Sequence, residues 1–135
     1  MKDFFTKHSW IRYQGPALAL TLAIFIASSI SHLPSPHLGF KLQDKLYHFA
    51  AYFVYGILLA RAFYFQQRFS QLQKAFVLSA IIFGALYGLS DEFHQFFVPG
   101  REMDFFDFLA DTLGVMAGAY LFRYALRTGI PVFQK

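Results

Sequence analysis

The chain has 135 residues, of which 56% are hydrophobic, 21% aromatic and only 15% charged, with a net charge of +4 and a mean hydropathy of +0.39. That balance lies outside the range of an ordinary soluble domain. The absence of cysteine excludes disulfides, a thiol nucleophile and thiolate-bound zinc, and the scattered basic residues form no aromatic-interleaved stripe of the kind that binds nucleic acid.

In chain order, the opening MKDFFTKHSWIRYQ mixes aromatic and basic side chains and suits an interfacial segment as well as a solvated tail. Four apolar runs follow, at 16–33, 46–65, 75–90 and 105–124, each near the ~20 residues needed to cross a hydrocarbon core. The first follows basic residues, as a signal peptide does, but no small-x-small cleavage site comes after it, so it reads as a retained helix. The expected fold class is all-α: an integral membrane bundle of four transmembrane helices. Residues 1–15 form its cytoplasmic or interfacial N-terminal segment, 16–127 the four-helix domain and 128–135 a cytoplasmic tail.

With both termini in the cytoplasm, nine of the twelve Lys and Arg residues fall on the inner side, against Lys41, Lys45 and Arg101 outside. That is the positive-inside pattern. Seven of the eight acids then face outward, six of them within Ser90 to Asp111, SDEFHQFFVPGREMDFFDFLAD.

Helical spacing orders these acids. Gly84, Gly88, Asp91 and Gln95 share one stripe if the third helix outlasts its apolar run, and Asp104, Asp107, Asp111, Gly114 and Gly118 share one on the fourth. Small residues let helix backbones approach closely in lipid, so the two glycine pairs are expected to bring the third and fourth helices together. Pro99 and Gly100 stand where a type II turn wants them, which is expected to aim Arg101 back at the acids. On the second helix Asp44 and His48 share a face beside Lys45, with Tyr52 and Tyr55 further along.

The segments DKLYHFAAYFVYG (44–56), DEFHQFFVPGR (91–101) and DFLADTLGVMAG (107–118) together resemble the VanZ-like family of small polytopic bacterial membrane proteins. The resemblance implies a polar pattern of Asp44, Lys45, His48, Asp91, Glu92, Gln95, Arg101 and Asp107. It departs at Asp111, where the family usually carries Asn. It further implies a multi-pass protein of the bacterial cytoplasmic membrane linked to the cell envelope, the family's namesake being associated with reduced susceptibility to the glycopeptide teicoplanin. It supplies no reaction.

The candidate site is therefore Asp44, Lys45, His48, Asp91, Glu92, Gln95, Arg101, Asp104, Asp107 and Asp111. Two carboxylates about 6 Å apart repel by roughly 3 kcal/mol at an effective dielectric near 20, so the group needs relief. Protonation, Arg101 or Lys45 as partners, or a bound divalent cation would each supply it. For His48 the bland reading is a hydrogen bond to Asp91 or Asp107 that locks helices; the sharper ones are a general base or a metal ligand. By position alone Glu92, Glu102 and His94 read as solvated loop residues, and Ser90 beside Asp91 belongs to no triad. Three function classes stay open: a protein engaging a membrane lipid or lipid-linked envelope precursor at the outer leaflet, a membrane-embedded hydrolase or transferase acting on a lipid phosphate, and an ion- or proton-coupled carrier.

Overall fold

The structure, a computed structural model, describes residues 9–31 and 42–129. Most of the N-terminal segment, the end of the first apolar run, Lys41 and the end of the C-terminal tail lie outside them. Among the described residues six helices form, α1 (Ser9–Tyr13), α2 (Gly15–Ser28), α3 (Gln43–Phe65), α4 (Ser70–Lys74), α5 (Phe76–Gln95) and α6 (Phe105–Thr128), with no strand.

Three of these, α3, α5 and α6, are long and apolar enough to cross a membrane, while α2 is a shorter apolar helix of 14 residues. The first expected span is thus cut short, because the helix stops at Ser28. It gains at its other end. The Gln14 amide donates to the Trp10 carbonyl at 2.7 Å and the Leu18 amide to Gln14 at 3.0 Å, so α1 and α2 make a nearly continuous run of about 30 Å at 1.5 Å per residue. Pro16 falls in the first turn of α2, where a missing N–H costs nothing.

The other boundaries follow from local chemistry. Helix α5 does outlast its apolar run, ending at Gln95. The Arg101 amide then closes back on the Val98 carbonyl at 3.0 Å across Pro99 and Gly100, with Gly100 at φ 79°, which is the type II turn expected. Asp104 caps α6 by accepting from the Phe106 amide at 2.8 Å, and Gly129 ends it in the left-handed conformation, φ 73°.

The helices alternate in direction. At one pole Tyr13 of α1 stacks on Phe65 at the end of α3, ring centroids 4.3 Å apart; Arg61 lies 5.0 Å above the Tyr13 ring and donates to the Arg12 carbonyl. At the opposite pole the end of α2 meets the end of α5 and the starts of α3 and α6. The poles are basic and acidic respectively.

Packing is inside-out relative to a soluble bundle. Alanines 60, 80 and 119 are fully buried, while Leu18, Leu22, Leu78, Phe83, Leu86 and Leu113 are about half exposed. Small residues line the closest helix contacts and many large apolar ones face outward, as helix association in lipid requires, while Tyr52, Val115 and Phe122 fill the remaining centre. Helices α3 and α6 approach most closely: a Cβ on Gly114 would lie 2.5 Å from the Phe49 carbonyl oxygen and 2.9 Å from the Phe53 nitrogen, and one on Gly118 would run into the Phe53 carbonyl. This corrects the expected pairing. Gly84 and Gly88 do face α6, through Val115 and Asp111, but Gly114 and Gly118 face the backbone of α3, where Gly56 in turn abuts Val115.

Candidate functional site

The acidic pole is assembled from helix ends. Helix α3 contributes Asp44, Lys45 and His48 from its first two turns, α5 contributes Asp91, Glu92 and Gln95 from its last turns, and α6 contributes Asp104 as its cap with Asp107 and Asp111 one and two turns beyond. The spacing 104, 107, 111 keeps three acids on one helical face.

Their contacts form one connected network. Lys45 Nζ lies 2.5 Å from Asp104 Oδ2 and 2.8 Å from Asp107 Oδ1, with Asp44 Oδ2 at 3.7 Å. His48 Nδ1 is 3.0 Å from Asp111 Oδ1 and 4.0 Å from Glu92 Oε1, while its Nε2 is 3.9 Å from Asp107 Oδ2. The Asp104 amide donates to Glu92 Oε2 at 2.9 Å. Gln95 Nε2 donates to Asp91 Oδ2 at 3.3 Å and to Glu92 Oε1 at 3.5 Å. On the far flank the Ser28 hydroxyl donates to Asp91 Oδ1 at 2.5 Å, which ties α2 into the same network.

Exposure falls steeply along it. The Asp44 and Asp104 side chains are 59% and 36% exposed and Lys45 is 26% exposed; below them Asp91, Glu92, Gln95, Asp107 and Asp111 are buried, Asp111 completely. Asp104 stands outside the helices, and its carboxyl is held below the usual carboxylate range by Lys45 and by the Phe106 amide. Its ion pair therefore adds stability above that range and loses it as pH falls through the depressed value.

Carboxylates outnumber bases. Lys45 answers Asp104 and Asp107, and His48 answers Asp111, but Asp91 and Glu92 have only neutral donors. Burying ionised groups on those terms is costly. Some buried polar atoms have less still: Asp111 Oδ2 is buried with no hydrogen-bond partner. So is the hydroxyl of Tyr52, a residue 1% exposed that packs against Gly88 alongside Asp111.

Three expectations change. Arg101 does not turn to the acids: its Nε donates to the Ile30 carbonyl at 3.0 Å and its Nη2 to Ala27 at 3.1 Å, so it closes the C-terminal end of α2, where the negative end of the helix dipole attracts a cation. Glu92 is buried rather than solvated, because α5 carries it inward on the face of Asp91 and Gln95. The His48 partner is Asp111 rather than Asp91 or Asp107. Glu102 remains exposed, and His94 sits apart against Ser29 and Phe25.

Sequence reasoning missed Ser28 and the hydroxyl cluster beneath the acids. Thr21 Oγ1 and Tyr55 Oη are 2.8 Å apart, the Tyr87 hydroxyl donates to the Thr21 carbonyl at 2.7 Å, and the Tyr52 ring meets Tyr55 edge-on at 5.8 Å. Thr21 and Ser28, seven residues apart on one face of α2, were the available signal.

Among the described residues, two sets of side chains bring three metal-ligating atoms within 4.8 Å of one another: Asp44, His48 and Asp107, and His48, Glu92 and Asp111. The fold and the pole together define a helical membrane protein with a buried acid–base network at one end. The chain matches the VanZ/LLP1 family model over residues 4–127 and belongs to that family. An uncharacterized protein of Schizosaccharomyces pombe is 36% identical over 99 residues, an alignment covering 69% of this chain and 56% of that protein, so the chain spans little more than half the length of that relative. No solved structure matches.

Proposed function

We propose that the chain engages the polar headgroup of a membrane lipid or lipid-linked cell-envelope precursor at its acidic pole, on the face of the bacterial cytoplasmic membrane away from the cytoplasm. The carrying observation is the exposure gradient along one network, from Asp44 and Asp104 at the mouth, through Lys45, to Asp111 at the floor. A zwitterionic headgroup fits such a mouth: Lys45 answers its phosphate and the surrounding acids answer its ammonium, whereas a bare phosphate meets too many carboxylates. Phe93, Phe96, Phe97, Phe105 and Phe106, each at least 60% exposed, supply an aromatic collar at the level of lipid headgroups. The tie to glycopeptide susceptibility of the teicoplanin type is the phenotype through which this engagement is read.

Lipids that copurify with the full chain, identified by mass spectrometry, are expected to include one phosphate-bearing class that is lost in Lys45→Gln. Cells carrying that variant at equal membrane level are expected to lose any shift in teicoplanin susceptibility. An unchanged lipid profile together with unchanged susceptibility would remove the headgroup reading.

Orientation has its own test in this cysteine-free chain. A cysteine at the exposed Glu102 is expected to react with an impermeant thiol reagent applied from outside the cell, and one at the exposed Gln71 to stay unreactive. The reverse pattern would put the acids in the cytoplasm.

A second reading, a hydrolase or transferase on a lipid phosphate, is favoured by one feature: a histidine held by a buried carboxylate, with a second carboxylate 4.0 Å away, is the arrangement a general base uses. The hydroxyl cluster around Thr21 and Tyr55 carries polar groups deeper than the sequence suggested, which is the feature a carrier would need.

A further inference from the structure

We infer that His48, Glu92 and Asp111 form a binding site for one divalent transition-metal ion, with the Tyr52 side chain packed alongside Asp111. The inference stands apart from the headgroup reading, since an ion binds there whether or not a lipid does.

Five observations converge on it. The donor atoms are already close: His48 Nδ1 is 3.0 Å from Asp111 Oδ1 and 4.0 Å from Glu92 Oε1, and all three ligand atoms fall within 4.8 Å of one another. With bonds of about 2.1 Å, adjacent ligands of an octahedral or tetrahedral ion stand roughly 3.0–3.4 Å apart, so the ion takes the place of the proton between His48 and Asp111 with only a small swing of Glu92. Acids outnumber bases around this point, and Asp91 and Glu92 lack any direct cationic partner at hydrogen-bonding distance. A divalent charge offsets that excess where burial makes it costly.

The other three observations concern unsatisfied polar atoms and ligand support rather than the cluster's charge. The Tyr52 hydroxyl, on a residue 1% exposed, has no hydrogen-bond partner, although a buried hydroxyl of this kind ordinarily finds one. The Tyr52 ring packs against Gly88 alongside Asp111, where a water on the ion would satisfy the hydroxyl. Asp111 Oδ2 is orphaned in the same place. Finally, Glu92 is held from outside the triad by the Asp104 amide and Gln95, the kind of outer support that fixes a ligand's orientation.

The neighbouring set of Asp44, His48 and Asp107 is the weaker site. Asp44 is exposed and Asp107 Oδ1 already lies 2.8 Å from Lys45, so a cation there would compete with an ammonium. One imidazole with two carboxylates suits Zn²⁺ or Mn²⁺ better than Ca²⁺, which takes six to eight oxygens.

The test uses the full chain in detergent, stripped with a chelator and titrated with Mn²⁺ followed by electron paramagnetic resonance, and with Zn²⁺ followed by elemental analysis after desalting. One ion per chain is expected. Glu92→Gln and Asp111→Asn should each weaken Mn²⁺ binding at least tenfold and together abolish it, while Tyr52→Phe, which keeps the ring and its packing, should weaken it about tenfold. Asp44→Asn should bind as wild type does. Circular dichroism and size-exclusion profiles identify any variant that has failed to fold, and the Tyr52→Phe and Asp44→Asn pair then carries the decision. Absence of a stoichiometric ion from the stripped and reloaded protein would overturn the inference, as would wild-type affinity in Glu92→Gln, or loss in Asp44→Asn with none in Tyr52→Phe.

Discussion

Gly118→Ala is expected to destabilise the bundle by about 3 kcal/mol or more, at the upper end of the usual cost of overpacking. The reason is what the new methyl would meet. It would run into the Phe53 carbonyl and lie 2.9 Å from the Ile57 nitrogen, and these are backbone atoms of α3 that cannot rotate away as a side-chain end can. The helices must separate, and with them go the contacts of Val115, Ala119 and Phe122. Thermal unfolding of the purified protein in detergent is the measurement. Gly15→Ala is the control, because a Cβ there meets only Ile11 Cγ2 at 3.8 Å, and its effect should be a slight stabilisation of about 0.4–1 kcal/mol. Equal midpoints for the two variants would mean that α3 and α6 do not touch through their backbones.

His48→Leu is expected to cost about 3–5 kcal/mol, the penalty for leaving one member of a buried pair uncompensated. Asp111 is completely buried, and the imidazole is its hydrogen-bond partner. Removing Asp111 instead should cost less, because His48 still has Asp107 and Glu92 within 4.0 Å. The double variant His48→Leu with Asp111→Leu should recover much of the loss, since two apolar groups bury no orphaned charge. A thermodynamic cycle over the four proteins reads this as coupling between the sites. Additive single costs would show that the two side chains do not act as a pair.

These variants probe features of unequal legibility. Hydropathy alone located α3, α5 and α6, because a span must satisfy its own backbone hydrogen bonds within a long apolar stretch, and that demand is written locally in composition. The turn at Pro99 and Gly100 was equally local: proline fixes one dihedral angle and glycine accepts the positive one that follows. The short α2 was harder. Its run of apolar residues looked long enough, but the helix closes at Ser28, where Arg101, 73 residues later in the chain, donates to the Ala27 and Ile30 carbonyls.

The family, the helical membrane bundle and the grouping of Lys45, His48, Asp91, Gln95, Asp104, Asp107 and Asp111 at one end were therefore determined by the sequence itself, through apolar periodicity and the placing of charges at helix ends, whereas the burial of Glu92 was not. Which partner each acquired was decided only by tertiary structure. Helix rotation turned Gly114 and Gly118 toward α3 rather than α5, and that rotation carried Asp111, on the same stripe, to His48. Arg101 left the acids for α2 because the carbonyl-rich C-terminal end of that helix lay within its reach. Periodicity fixes which residues share a face, but the face's azimuth depends on how closely the backbones of two helices distant in sequence come together.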